Sequence, residues 1–238
     1  MNGLDPEGGC TGNCGPQSGG TSACTAPAVP LPSAGPFQPD GEGPARMAAD
    51  IKRLMAAFDA VGIASRERFD DAPEQFHPRH LMPGFKSAIV FGQKWEEASK
   101  ETAGGRFHII AENVNAIDAA TRHLTARGFG VLPVSARTKE VSLPRMGERA
   151  GLGEISGVNS LVFEEYGLAV KLGALLTDAP LRPDPLATGV CLKCWACSDA
   201  CPVAKGPFQL ERSECKSCGK CVEACPLTRI KVTEGQHD

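Results

Sequence analysis

Eight of the eleven cysteines in this chain fall in two runs of identical spacing. Each run reads C-x2-C-x2-C-x3-C and is followed directly by a proline, Pro202 or Pro226. Three thiolates separated by two residues can surround one corner of an iron–sulfur cube, and the fourth is carried away by the residues that follow. The spacing therefore predicts two [4Fe-4S] clusters.

The ligand assignment follows from a rule of this spacing, which is that of bacterial two-cluster ferredoxins. The fourth cysteine of each run ligates the cluster of the other run. The first cysteine set is then Cys191, Cys194, Cys197 and Cys225, and the second cysteine set is Cys215, Cys218, Cys221 and Cys201. Trp195 lies between ligands of the first set, where it either shields a cluster from water or packs a domain interface.

Other uses of these cysteines fit the spacing less well. Two zinc ribbons would also need eight cysteines, but they leave the third cysteine of each run and the following proline unexplained. Disulfides at this density would be strained. Three further cysteines, Cys10, Cys14 and Cys24, match no ligand pattern, so we interpret them as incidental or redox-labile thiols rather than as a metal site.

Composition and charge limit the classes of function. The charged fraction of 22% and hydrophobic fraction of 42% are typical of a globular protein, and the net charge of -3 gives no reason to expect a nucleic-acid partner. No apolar run approaches the ~20 residues that span a bilayer, so no membrane association is expected. The N-terminal residues show no export signal. Cluster thiolates need reducing conditions, which predicts a cytoplasmic location in an anaerobic or microaerobic cell.

The chain divides into three predicted parts. Residues 1–45 are rich in Gly and Pro and are predicted to be a disordered tail. Residues 46–187 form an α/β module, and residues 188–232 form a double-cluster, ferredoxin-like domain. Together these parts predict an α+β protein.

Hydrophobic periodicity places the elements of the α/β module. It predicts a helix from Met47 to Val61 that stops at Gly62, a buried strand Ser87–Gln93, a helix Phe107–Leu124 and a strand Phe129–Ser135. This strand–helix–strand order indicates a βαβ-type unit.

A glycine-rich segment then leads to the first cysteine run. A short helix is predicted over Pro144–Ala150, followed by strands Val158–Phe163 and Leu168–Leu176 that a turn at Glu164–Gly167 joins into a hairpin. Gly151, Gly153 and Gly157 superficially match a dinucleotide loop, but no strand precedes them and no long helix follows, which excludes a Rossmann site. Glycines at this density indicate a close approach to another element or to a flat ligand.

The glycine-rich segment followed by the cysteine runs resembles the epoxyqueuosine reductase and reductive dehalogenase superfamily. The resemblance covers most of residues 46–226 and is strongest after residue 145. The matching residues are Ala150–Gly153, Gly157, Asn159–Leu161, Glu165–Gly167, Leu172–Gly173, Leu176–Leu181 and, before them, Leu81–Gly84.

The resemblance implies a shortened nitroreductase-like module that binds a corrinoid (cobalamin) and receives single electrons from the clusters. The cofactor-binding residues it implies are Gly151, Leu152, Gly153, Gly157, Asn159 and Ser160. The family's catalytic aspartate is not found, since this chain has Val134–Arg137 at the comparable position. Proton-donor candidates, by chemistry alone, are Tyr166, Arg137, Arg145 and His108.

The sequence thus predicts an iron–sulfur oxidoreductase of the epoxyqueuosine reductase-like group. Its partner would be a soluble electron donor of the ferredoxin or flavodoxin type. Two other interpretations stay open at this point. One is a non-enzymatic electron carrier that docks a redox partner, and the other is a sensor of oxygen or iron.

Overall fold

A four-stranded sheet forms the centre of the protein. The computed structural model describes residues 42–94, 113–135, 138–210, 214–216 and 218–228, all within one compact unit, Ala34–Asp238. The strands of the sheet are β1 (Ala60–Ser65), β2 (Ser87–Lys94), β3 (Val131–Val134) and β6 (Val170–Thr177). The strand order is β1-β2-β6-β3, and every neighbouring pair is antiparallel.

Helices cover both faces of this sheet. Helices α1 (Glu42–Leu54) and α2 (Val114–Thr125) pack on one face, and α3 (Leu143–Arg149) packs on the other. Strand β2 shows why two covers are needed, because its alternating residues are apolar on both sides. Ile89 and Phe91 face α1 and α2, whereas Ala88 and Val90 face α3.

Smaller elements connect the sheet to the cysteine runs. Strands β4 (Glu154–Ile155) and β5 (Leu161–Val162) form a separate two-stranded sheet. Each cysteine run contains a short helix, α4 (Ala196–Asp199) or α5 (Lys220–Ala224). Three one-turn 3-10 helices occupy the loop between β1 and β2, at Arg66–Phe69, Glu74–Phe76 and Pro78–His80.

Most of the predicted elements are confirmed. The mixture of helix and sheet is as expected, and strands occur within Ser87–Gln93 and Phe129–Ser135. The helix predicted over Phe107–Leu124 is confirmed from Val114 onward, and its earlier part lies outside the described residues. The βαβ-type unit is also present, but in a split form, since β2 and β3 are parallel to each other with β6 between them.

Two predictions are wrong. The first helix ends at Leu54 rather than near Gly62, and Val61 and Gly62 belong to β1. Phe58 packs in the same core as the residues of α1, but it does so from the turn after the helix. Its helical spacing in the sequence is therefore a coincidence. The glycine-rich hairpin does not form either. Strand β5 pairs with β4, whereas β6 pairs with β2 and β3, so only the bridge between Phe163 and Gly167 joins the two segments.

Two further predictions, the tail and the domain boundary, are not decided by the fold. The predicted tail falls almost wholly outside the described residues, and the boundary between residues 187 and 188 stays a prediction. Among the helices of the described ranges, none is both long and apolar enough to cross a membrane.

Candidate iron–sulfur site

The first cysteine set surrounds a cavity beside the glycine-rich segment. The cavity is small, about 20 Å³, and partly open to solvent. Its lining includes all four cysteines of the set, Cys191, Cys194, Cys197 and Cys225. Cys225 reaches the cavity from the second run, 28 residues beyond Cys197 in the chain. The fold therefore brings together the four thiols that the crossed assignment groups.

Cys197 is one of the two buried thiols of the first set, and its surroundings raise its pKa. Burial raises the pKa of this thiol, the neighbouring Cys225 and Cys191 raise it further, and hydrogen bonds from the backbone N–H groups of Val158 and Gly157 lower it. The N–H groups act in the opposite sense because they favour the charged thiolate. The glycine-rich segment thus touches a predicted cluster ligand through its backbone.

The second cysteine set is more open. Cys215 and Cys218 are exposed, whereas Cys221 and Cys201 are half-buried. Burial raises the pKa of the Cys221 thiol to about 11, and Cys215 and Cys201 add to the increase. The thiols that act on Cys221 most strongly are thus members of its own predicted set. Within the described residues, no three His, Cys, Asp or Glu side chains are placed to hold a single metal ion.

The two runs share a local backbone geometry. In each, the residue after the second cysteine has a left-handed backbone, with φ of 63° at Trp195 and 77° at Gly219. This residue precedes the short helix, α4 or α5, which carries the third cysteine. The two helices pack against each other. Identical spacing therefore produces two related loops that face one another.

Apolar side chains line one side of the first set, in which Cys197 and Cys225 are buried, Cys191 is half-buried and Cys194 is exposed. Val162 and Leu168 line the cavity and are almost fully buried, and Trp195 lies beside them. The Trp195 ring packs edge-on against Phe208, with 5.4 Å between ring centroids. Trp195 therefore lines the cavity and packs against the loop between the two cysteine runs, and shielding of a cluster by its ring stays a prediction.

Glu154 is a site residue that the sequence interpretation missed. Its carboxylate accepts hydrogen bonds from the N–H of Cys191, at 2.8 Å, and from the N–H of Gly189, at 3.0 Å. The bond from Cys191 is the main cause that lowers the pKa of this carboxyl. The available signal was a single acidic residue among the closely spaced glycines Gly151, Gly153 and Gly157.

The glycines predicted to bind a flat cofactor make close contacts within the protein. A Cβ on Gly151 would overlap the carbonyl oxygen of Pro185, and one on Gly153 would overlap that of Val162. At Gly157 a Cβ would lie 3.1 Å from the Trp195 ring. These contacts account for all three glycines without a ligand, and cofactor binding by this segment stays a prediction.

The other predicted cofactor-binding residues have structural partners as well. Leu152 packs against the apolar residues around β4 and α3. The side-chain amide of Asn159 donates to the carbonyl oxygens of Phe208 and Leu210, each at 3.2 Å. The N–H of Ser160 donates to the hydroxyl of Ser156 at 3.3 Å. Asn159 therefore fixes the loop between the two cysteine runs.

Two of the four proton-donor candidates, Tyr166 and Arg145, lie within the described residues. A hydrogen bond to Glu165 is the main cause that raises the pKa of Tyr166, whose ring lies 5.8 Å from the Lys94 ammonium. Arg145 pairs with Glu148 on the surface of α3. His108 and Arg137 lie outside the described residues. No catalytic residue is assigned from these four.

Comparison with curated proteins identifies relatives of this chain, although no protein-family model matches it. An epoxyqueuosine reductase of Bacillus anthracis is 41% identical over 175 residues, which cover 64% of this chain and 44% of the relative. One of Bacillus subtilis is 24% identical over 171 residues, covering 64% and 43%. The chain is similar to epoxyqueuosine reductases. The resemblance read from its sequence is confirmed.

Solved structures agree on the fold. An epoxyqueuosine reductase with a modified tRNA stem loop superposes with a TM-score of 0.60 at 20% identity, covering 78% of this chain and 65% of that one. A reductive dehalogenase described as B12-dependent gives a TM-score of 0.62 at 20% identity, covering 83% and 35%. The chain spans less than half the length of the two curated epoxyqueuosine reductases it matches above.

Proposed function

We propose that this protein is an iron–sulfur oxidoreductase of the epoxyqueuosine reductase-like group, in which two [4Fe-4S] clusters pass single electrons toward an acceptor in the α/β module. The observation that carries the proposal is the position of Cys225. It lines one cavity with Cys191, Cys194 and Cys197, as the crossed ligation of a two-cluster protein requires.

The residues around the first set fit an iron–sulfur cluster. Four thiols line one cavity, and their mutual proximity disfavours thiolates until a metal supplies positive charge. Val162, Leu168 and Trp195 form apolar walls on one side of the cavity. A bound cluster would supply reversible one-electron transfer, and the chain would hold it, shield it and donate N–H groups to its ligand Cys197.

The difference in exposure supports a direction for electron flow. Two thiols of the second set, Cys215 and Cys218, are exposed, against Cys194 alone in the first set, so we assign the second cluster to the approach of a soluble ferredoxin- or flavodoxin-type donor. The first set lies against the α/β module, so we assign the first cluster to delivery. The acceptor implied by the resemblance is a corrinoid.

Anaerobic reconstitution with iron and sulfide tests the proposal. We expect about eight iron atoms and about eight acid-labile sulfides per chain, with two interacting paramagnets in the EPR spectrum after reduction. Tightly bound zinc without labile sulfide would refute the cluster assignment. The variant Cys10→Ala is the matched control, because that cysteine is outside both sets, and it should bind the same amount of iron.

The acceptor is tested separately. The reconstituted protein is incubated with cobalamin and passed through a desalting column. Retained cobalamin with an altered visible spectrum would support the corrinoid assignment, and complete loss of cobalamin would refute it without affecting the clusters. Turnover assays begin with an epoxyqueuosine-containing tRNA stem loop, since a modified stem loop is bound to one structural relative.

A further inference from the structure

One short segment, residues 154–159, attaches the α/β module to the first cysteine run. At its start, the half-buried carboxylate of Glu154 accepts two backbone N–H groups, from Gly189 and Cys191. A carboxylate that accepts two amides makes charge-assisted hydrogen bonds, which are stronger than neutral ones. Glu154 therefore fixes the backbone at the first ligand of the set.

The end of the same segment holds a second ligand. The N–H groups of Gly157 and Val158 donate to the Cys197 thiol. The carbonyl oxygen of Gly157 accepts the N–H of Phe208 at 2.6 Å, which ties in the loop between the two runs. Only a residue without Cβ fits this close approach unless Trp195 shifts, because a Cβ on Gly157 would lie 3.1 Å from its ring.

A third contact from the module lies close to Cys225. The Thr228 hydroxyl accepts the N–H of Leu168 at 3.2 Å, and the N–H of Thr228 donates to the carbonyl oxygen of Cys225 at 3.1 Å. Contacts from the module thus reach three of the four members of the first set, directly or through the adjacent turn. In the second set, by contrast, Cys215 and Cys218 are exposed to solvent.

We propose that Glu154 is a positioning residue for the first cluster, which fixes Cys191 and lowers the reduction potential of that cluster alone. The inference rests on the proposed two-cluster function. A negative carboxylate next to the cluster opposes the addition of an electron, and hydrogen bonds to the ligand sulfurs favour it. Glu154 and the N–H groups of Gly157 and Val158 thus set the potential of the first cluster from opposite directions, through the α/β module.

Two variants separate the charge of Glu154 from its anchoring role. Glu154→Gln removes the charge and keeps one acceptor oxygen for the N–H of Cys191, but it gives up the bond from Gly189, which the other carboxylate oxygen accepts. It should therefore keep the full iron content and shift one of the two potentials in the positive direction. Glu154→Ala removes the anchor and should lose about half of the bound iron. Glu164→Gln, an exposed carboxylate in the turn before β6, is the control and should change neither quantity.

The measurement is a redox titration of the full reconstituted chain, followed by EPR, with iron analysis and circular dichroism on each variant. A positive shift of one potential in Glu154→Gln, with the other unchanged, is the expected result. Two outcomes would overturn this inference alone, provided that the wild type binds two clusters. One is that both reduction potentials are unaltered in Glu154→Gln, and the other is that a folded Glu154→Ala protein loses both clusters. A wild-type chain that takes up no cluster would overturn the proposed function, and this inference with it.

Discussion

The two cysteine runs have the same spacing and the same left-handed turn, yet the protein surrounds their two cysteine sets differently. The first set lies against the glycine-rich segment, with Cys197 and Cys225 buried. The second set has no buried thiol, and it exposes Cys215 and Cys218 to solvent, whereas the first set exposes only Cys194. The cysteine spacing therefore determines which thiols come together, whereas the packing of the α/β module determines the environment of each cysteine set. Five predictions test this contrast, in order of decreasing effect.

The largest effect is expected from Cys225→Ala. It should remove the first cluster and leave the second, although Cys225 belongs to the second run, because the crossed ligation places its thiol with Cys191, Cys194 and Cys197. Iron should fall by about half, and EPR should show one remaining cluster. Cys201→Ala is the reciprocal variant and should retain the first cluster. Loss of the cluster held by Cys215, Cys218 and Cys221 in Cys225→Ala would contradict the crossed assignment.

Gly153→Ala should destabilise the small sheet that supports the first cysteine set. The added Cβ would overlap the carbonyl oxygen of Val162, forcing apart the sheet of β4 and β5 that carries Glu154. We expect a loss of about 1 to 3 kcal/mol in the free energy of unfolding, measured by denaturant titration, with less iron in the first cluster. Gly84→Ala is the control, because a Cβ there meets nothing within 4 Å. Equal stability of the two variants would show that the sheet adapts without cost.

Trp195→Gly makes the first run resemble the second, which has Gly219 at the same place. The left-handed backbone at Trp195 costs about 1 kcal/mol, which glycine relieves, but the variant loses the ring that walls the cavity. We expect full iron content with faster bleaching of the first cluster in air, followed by visible absorbance and EPR. Trp195→Phe retains an apolar ring and should bleach more slowly than the glycine variant. Equal rates in the wild type and both variants would show that the ring does not shield the cluster.

The stability of the α/β module should depend on pH through a residue that belongs to neither cysteine set. His123 lies between α1 and α2, and burial lowers its pKa, with Arg127 acting in the same direction and Asp50 against it. The unfolded chain then binds a proton more readily, so this residue reduces stability as pH falls below about 6.5. His123→Gln should flatten the loss of stability between pH 7 and pH 5 in thermal unfolding. His80→Gln, at an exposed position, is the control and should leave this pH dependence unchanged. If His123→Gln loses as much stability as the wild type between pH 7 and pH 5, His123 is not its cause.

The smallest effect is expected from deletion of residues 1–40. Cys10, Cys14 and Cys24 belong to neither predicted set, so the shortened chain should bind the same amount of iron. Iron analysis after anaerobic reconstitution measures this directly. Lower iron per chain would show that one of these three thiols is a ligand.

The sequence predicted best those features that depend on residues close together in the chain. The apolar run Ser87–Gln93 is a central strand because both of its faces are covered, and the cysteine spacing groups the thiols that the fold brings close. The hairpin failed because strand pairing is not local, since Val170 pairs with Lys94 and not with β5. Glu154 was missed for the same reason, as its partners lie 35 and 37 residues further along the chain.

The central position of β6 has a consequence for how the protein is made. During synthesis, β2 and β3 emerge before β6, the strand that lies between them in the sheet. Both strands therefore lack this neighbour until Val170–Thr177 has left the ribosome. Strand insertion between two earlier strands is a non-local and therefore slow step of folding. The first cysteine of the runs follows β6 by only fourteen residues. We therefore expect the scaffold to close just as the thiols emerge, so that cluster loading acts on a nearly completed sheet.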